Sequence, residues 1–287
     1  MSCSILNKLA GVVILYNPES HKTLENILSY SSGLKKLYIL DNSEDEQIEW
    51  ELLSKQIGNH VEYIKYGLNE GISKRLNIAA HKAIEEGYDF LLTMDQDSSF
   101  PEGVFKKYLN EIENCSIDKV GQFGVNFQPQ FLPIQTSAIK VRSLITSGSI
   151  ISLNYFLQVG DYNEDLFIDF VDADFSFRVN ANGYKVVQFT NILLNHQIGD
   201  RVSGRSFKTF KVTDRIIHSP IRVYYIVRNG LYIMFKAKNI SKDARYEILR
   251  GMKILKNNYI YHPQLFKIYQ FTIVGIIDFL RNKMGKK

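Results

Sequence analysis

Apolar and polar positions in the first hundred residues fall into alternating blocks. "GVVILY", "KLYILDN", "VEYIKY" and "YDFLLTM" are apolar runs of strand length, separated by helix-like stretches near 20–31, 45–57 and 71–86. Short runs with no polar face suit strands buried on both sides, and their alternation with helices predicts a mostly parallel sheet covered on both faces. The pattern continues through "VGQFGVNF" and "SLITSGSIIS". It then predicts a helix from Asp172 to Asn182, ended by Gly183 at the C′ position, and a returning strand from Tyr184 to Phe189. "NHQIGDRVSGRS" reads as a loop bearing Gly and Arg, and from about 220 onward the chain reads as helices rich in Tyr, Ile, Lys and Arg. The expected organisation is an α/β domain over 1–215 followed by a helical extension over 216–287.

Composition narrows the field. With 45% hydrophobic and 23% charged residues the chain is a folded globular protein rather than a disordered one. A net charge of +5, from 35 basic and 30 acidic residues, lacks the concentration expected of a nucleic-acid binder. It is compatible with phosphate-bearing ligands or an anionic membrane surface. Cys3 and Cys115 are too few and too far apart for a zinc site or a disulfide framework, which points to the reducing cytoplasm. The first apolar run reads as a strand rather than a signal peptide, and no stretch reaches the roughly 18 apolar residues of a spanning helix. "QFTIVGIIDFL", followed by Arg281, Lys283, Lys286 and Lys287, suits a helix lying in an anionic interface. It suits a core-packing helix with a solvated tail equally well.

Candidate chemistry sits where such a sheet collects ligands, at the carboxyl ends of its strands. Those ends carry Tyr16 and Asn17, Asp41 and Asn42, Asn69 and Gly71, and Asp95 and Asp97. A D-x-D pair at a strand exit supplies oxygen ligands for a hard cation that bridges to substrate phosphates, though Asp and Ser in a turn also serve as local caps. Ser99 with Glu102 reads as a capping box opening a helix, with Pro101 in its first turn. Asp172 at a helix start is favoured by the helix dipole and is also placed to act as a general base. Asp174 and Arg178 have the spacing of an ion pair on one helix face. His196 fits either a core imidazole or a ligand, and Gly199, Arg201, Gly204 and Arg205 fit a pyrophosphate or a solvated surface loop. There is no G-x-G-x-x-G after the first strand, no phosphate-binding G-x-x-x-x-G-K-[ST] and no G-x-S-x-G.

Taken in order, "VVILYNP", "LYILDNS", "GLNEGISKRLNIAA", "YDFLLTMDQDS", "TSGSIISLNYFLQVGDYNEDLFIDFVDADFSFRVNANGY", "NHQIG" and "HSPIRVYYIVRN" resemble the inverting glycosyltransferases of family 2, within them the bacterial rhamnosyltransferase-like group. The resemblance spans roughly residues 10–230 and implies the GT-A fold. It implies a nucleotide-sugar donor, dTDP-linked rhamnose or a UDP-linked sugar, and a saccharide or lipid-linked saccharide acceptor in cell-surface polysaccharide synthesis. On it, Tyr16, Asn17, Asp41 and Asn42 line the base and ribose pocket, and Asn69, Gly71 and Asn77 shape the adjoining donor site. Arg201 and Arg205 meet the donor, and Asp95 and Asp97, with His196, hold Mg²⁺ or Mn²⁺ against the diphosphate. Asp172 is the catalytic base. Two positions depart from the family's pattern: Val171 stands before Asp172 where Glu is common, and Leu76 before Asn77 where Arg is frequent.

Overall fold

The computed structural model describes residues 5, 8–45, 48–127, 138–196, 200–205, 210–237 and 241–287. The apolar runs become β1 (Leu9–Leu15), β2 (Lys36–Asp41), β3 (Val61–Lys65) and β4 (Phe90–Asp95). The intervening stretches become α1 (Ser20–Ser31), α2 (Ile48–Ile57) and α3 (Ile72–Glu85). β1 pairs in parallel with β2 on one side and β4 on the other, and β2 pairs in parallel with β3. A strand flanked on both edges and covered on both faces leaves no side chain to water, so Leu9, Val12, Val13, Leu91 and Leu92 are all buried.

Then follow β5 (Ser98–Ser99), α4 (Val104–Glu113), β6 (Val120–Asn126), β7 (Ala138–Lys140), β8 (Ser149–Ser152), α5 (Leu153–Val159), α6 (Val171–Ala181), β9 (Lys185–Leu193) and β10 (Asn195–His196). The main sheet has eight strands in the order β3-β2-β1-β4-β8-β6-β9-β7. β6 and β9 pair in parallel, whereas β8 runs antiparallel between β4 and β6, and β7 runs antiparallel on β9. The sheet is therefore mixed but mostly parallel. Beyond it lie β11 (Asp200–Arg205), β12 (Val212–Ile217), α7 (Pro220–Phe235), α8 (Lys242–Met252), α9 (Lys256–Tyr261) and α10 (Leu265–Leu280).

Each face of the sheet has its own core. Ile27 and Tyr30 of α1, Trp50 of α2, and Phe105 and Tyr108 of α4 pack on one face. On the other, Ala79, Ala80 and Ala83 let α3 lie close to the sheet, beside Phe175 of α6, Ile233 of α7 and Ile248 of α8.

Two local expectations change. Ser99 does not open a helix: its backbone pairs with Asn195 in the short β5–β10 ladder, and that extended pairing keeps the chain out of helical geometry. α4 begins only at Val104, after Gly103 in the left-handed region at φ 73° and with no side-chain cap. Within "NHQIGDRVSGRS", Gln197–Gly199 and Ser206 lie outside the described residues, and Asp200–Arg205 form a hairpin with β12 rather than a loop. Arg215 Nη1 donates to the Gly204 carbonyl at 2.6 Å and its guanidinium lies 3.9 Å from the Tyr261 ring centre, which fastens the hairpin to α9.

Candidate active site

The end of β4 delivers Asp95 and Asp97 to a turn, and β10, by pairing with β5, sets His196 opposite Ser98. Asp95, Asp97 and His196 each place a ligand atom so that all lie within 4.8 Å of one another. His196 Nδ1 is 2.7 Å from Ser98 Oγ and 3.6 Å from Asp97 Oδ1. Burial pushes the Asp95 carboxyl up to about 6, with His196 opposing and Asp97 and Asp172 reinforcing the rise. Burial also acts upward on Asp97, yet His196 and Ser98 hold that carboxyl below its ordinary value. Burial acts downward on His196, and the two carboxylates hold the imidazole above its ordinary value. Two carboxylates and an imidazole, crowded enough to perturb one another, form a donor set that fits a divalent cation. The middle residue of the D-x-D serves the backbone: Gln96 Nε2 donates to the Tyr16 carbonyl, and the Tyr16 N–H donates to Gln96 Oε1 at 2.8 Å. The exits of β1 and β4 are thereby tied together.

The exits of β1 and β2 are also joined. Asn17, left-handed at φ 45°, donates its N–H to Ser43 Oγ at 2.8 Å. Asp41 is buried and accepts from the Ser43 N–H at 2.8 Å and from Tyr63 Oη at 2.7 Å. Asn42 donates to the Gly71 carbonyl at 3.1 Å and accepts from Arg75 Nε at 2.7 Å. Asn69 Oδ1 accepts from the Gly71 N–H at 3.0 Å, closing the turn that precedes α3. Tyr16 is left exposed at the rim. Asn77 is placed differently: its buried amide donates to Tyr162 O and Glu164 Oε1 and accepts from the Tyr162 N–H, so it is spent on that turn.

Asp172 is the second residue of α6, and its Oδ1 accepts from the Ala173 N–H at 2.8 Å. Burial pushes its carboxyl up to about 6, and the Asp169 charge adds to the rise. The loop leading into it is strained, with Phe167, Asp169 and Phe170 all left-handed at φ 62–64°. α7 holds that strain: Asn229 Nδ2 donates to the carbonyls of Leu166, Ile168 and Asp169, and Arg222 pairs with the Asp169 carboxylate. The attraction of Asp169 raises Arg222 above its ordinary range, with Asp95 and Asp97 contributing. Asp95, Asp97, His196, Asp169, Asp172 and Arg222 thus share one electrostatic neighbourhood. Asp172 also lines a cleft of about 980 Å³, with Asn126, Phe127, Phe170, Tyr246 and Arg250 among its walls.

Arg205 is an exposed residue of β11, and Arg201, in the same strand, has a side chain outside the described residues. Reasoning from sequence missed Arg75, Arg222 and Asn229. Arg75 is fully buried, bonds Asn42 and the Leu68 carbonyl, and stacks 3.5 Å from the Tyr66 ring centre. A charged residue among the buried positions of an amphipathic helix is the signal that marks it. Arg222 and Asn229 carry no local signal, because their partners are more than fifty residues away in the chain.

No family model matches the chain. It is 28% identical over 256 residues to the dTDP-rhamnosyl transferase RfbF of Shigella flexneri, covering 80% of this chain and 81% of that protein. The mannosyltransferase PcManGT from Pyrobaculum calidifontis, solved with GDP-Man and Mn²⁺, superposes with a TM-score of 0.58 at 12% identity over 96% of this chain and 88% of that one. GalNAc-T7, solved with UDP, GalNAc and Mn²⁺, gives a TM-score of 0.57 at 11% identity over 89% of this chain; the match spans 58% of GalNAc-T7. These likenesses bear out the GT-A architecture and the resemblance to the rhamnosyltransferase-like group. The chain thus shares the fold of solved glycosyltransferases and a 28% likeness to one rhamnosyl transferase.

Proposed function

We propose that the protein transfers L-rhamnose from dTDP-rhamnose to a hydroxyl of a saccharide or lipid-linked saccharide acceptor, with inversion, in cell-surface polysaccharide synthesis. The observation that carries the reading is the gathering of Asp95, Asp97 and His196 at the strand exit, with Asp172 near enough for its charge to act on Asp95 and itself lining a cleft of about 980 Å³. The likeness to the Shigella flexneri rhamnosyl transferase supports the choice of sugar and nucleotide.

Asp172 takes the proton of the acceptor hydroxyl, whose oxygen attacks the anomeric carbon as the bond to the diphosphate breaks on the opposite side. A single displacement of this kind inverts the anomeric centre. Asp95, Asp97 and His196 would hold Mg²⁺ or Mn²⁺, which neutralises negative charge on the departing nucleoside diphosphate. Asn17, Asp41 and Asn42, locked to neighbours across the strand exits, support a pre-formed pocket for base and ribose, and Asn69 and Gly71 shape the adjoining donor site. The transferase domain takes in residues 1–215 together with the end of β12, and of the helices that follow, α7 and α8 pack on the sheet's core. The enzyme works in the cytoplasm, at the inner face of the cell membrane where a lipid-linked acceptor is presented.

The test is a panel of nucleotide sugars with release of nucleoside diphosphate as readout. dTDP-rhamnose should be turned over in preference to UDP- and GDP-linked sugars. Preference for a UDP-sugar would reassign the donor, and failure to turn over any sugar would leave a binding module.

A further inference from the structure

α10 is held chiefly by one face, and on its outer side Tyr269 reaches back to donate to the Tyr259 carbonyl at 3.3 Å. Ile268 is fully buried, and a side chain at Gly275 would come within 3.0 Å of the Tyr224 carbonyl, so the helix lies close on α7. Tyr224 Oη donates to Asp278 Oδ2 at 2.9 Å and Lys236 Nζ donates to the Phe279 carbonyl at 2.6 Å, which fix the rotation of the helix about its axis. The opposite face cannot turn inward. It presents Phe266 (83% exposed), Tyr269, Ile273 (57%), Ile276, Ile277 and Leu280 (68%). At about 100° per residue these six side chains fall within an arc of about 100° that holds no charged residue. Lys267 and Asp278, the only charges in the helix, lie outside the arc. Sixteen residues make a stripe about 24 Å long. Contiguous exposed apolar surface of this kind marks a contact surface.

Charge selects what covers it. Residues 242–287 carry ten Lys and Arg against three Asp and Glu, whereas the preceding 241 residues carry 25 against 27. The protein's excess of positive charge therefore belongs to the segment that bears the apolar stripe. A second copy meeting this face across a two-fold axis would bring two basic surfaces together. An anionic bilayer offers the complementary charge and an apolar interior at once. No described helix is long and apolar enough to cross a membrane.

We infer that α10 is an interfacial helix that seats the enzyme on an anionic lipid surface, its apolar stripe in the headgroup boundary and Arg281 and Lys283 at its end among the lipid phosphates. The inference deepens the peripheral location proposed above, but neither donor nor acceptor chemistry enters its test.

The full-length protein is floated with vesicles of mixed phosphatidylglycerol and phosphatidylcholine and with vesicles of phosphatidylcholine alone. Wild type should float with the anionic vesicles, and partitioning should fall at least about tenfold on neutral vesicles or in the Arg281→Glu/Lys283→Glu variant. Phe266→Ser/Ile273→Ser should lose flotation to a similar extent while keeping its thermal melt, since both side chains are exposed. Wild type left in the aqueous fraction, or a Phe266→Ser/Ile273→Ser variant that floats undiminished, overturns the inference. A dimer in sedimentation equilibrium that the same double variant disperses would assign the face to self-association and overturn it as well.

Discussion

Arg222 Nη2 donates to Asp169 Oδ1 across 2.5 Å, from the first turn of α7 to the strained loop that leads into Asp172. Asp169 is nearly buried, so removing the guanidinium leaves a carboxylate with little water to replace it. Arg222→Ala should cost about 1–2 kcal/mol of stability, below the full penalty of an orphaned buried polar group because Arg222 itself is partly exposed. Sugar transfer should fall more than stability explains, as the loop carrying the base loosens. Arg222→Lys keeps the charge but not the fork and should recover part of both. Thermal denaturation and transfer rate on the same preparations check this; a variant unchanged in both would show that the pair has no hold on the loop.

Asp172→Asn separates two roles of one side chain. Asn caps a helix nearly as well as Asp but cannot accept a proton. Turnover should drop by roughly 10²-fold or more, with donor affinity and melting temperature near wild type. Transfer above a tenth of the parent rate would move the base to another residue, with Asp169 the next to substitute.

The pH profile follows from the same carboxyl. With Asp172 pushed up to about 6 by burial, its basic form is depleted as pH falls through that value. Transfer at saturating donor and Mn²⁺ should decline about tenfold per pH unit below this point and level off above it. Asp95 is also raised to about 6, but a bound cation favours its carboxylate, so the acid limb reports Asp172. An unchanged rate two units lower would remove Asp172 from the chemistry.

Donor binding should depend on a divalent cation. Calorimetric titration with Mg²⁺ or Mn²⁺ present should show tighter binding of the nucleotide sugar than with EDTA, and Asp97→Ala should behave like the chelated enzyme. His196→Ala should weaken the metal effect to a smaller degree, since two carboxylates stay in place. Equal affinity with and without metal would sink the role of the cluster.

Gly71 has φ 88°, and a Cβ there would approach the Phe167 carbonyl oxygen to 2.6 Å. That oxygen accepts from the Ile72 N–H at 2.9 Å, so it is not free to retreat. Gly71→Ala should destabilise the protein by about 1–3 kcal/mol and weaken donor binding, because Asn42 and Asn69 both bond to Gly71. A melt within a degree of the parent would show that the turn yields.

β1 to β4 and their helices were legible because each strand is a continuous apolar run bounded by turns, and periodicity reports such strands directly. β5 and β10 were not, since two residues carry no period and exist only because they find each other across the fold. Asp95 and Asp97 stood out in the sequence as a carboxylate pair at a strand exit, whereas His196 joined them only through the family resemblance, and the structure gathers all three. Asn77 stood among them as well, yet its amide turns to Tyr162 and Glu164. Arg222 and Asn229 stayed hidden in "IRVYYIVRN", where helical spacing is evident but the loop they serve is not.

The β5–β10 ladder also sets an order of events during synthesis. Asp95 and Asp97 leave the ribosome about a hundred residues ahead of His196, a lag of about 5–20 s at ordinary translation rates. Until β10 arrives, the nascent chain offers a cation two carboxylates on an unfinished turn. The third donor comes only after β6, β8 and β9 have been made, so the donor set becomes complete together with the sheet that supports it. A chain stalled or truncated before residue 195 can build the exits of β1 to β4, but it cannot bring an imidazole to Asp95 and Asp97.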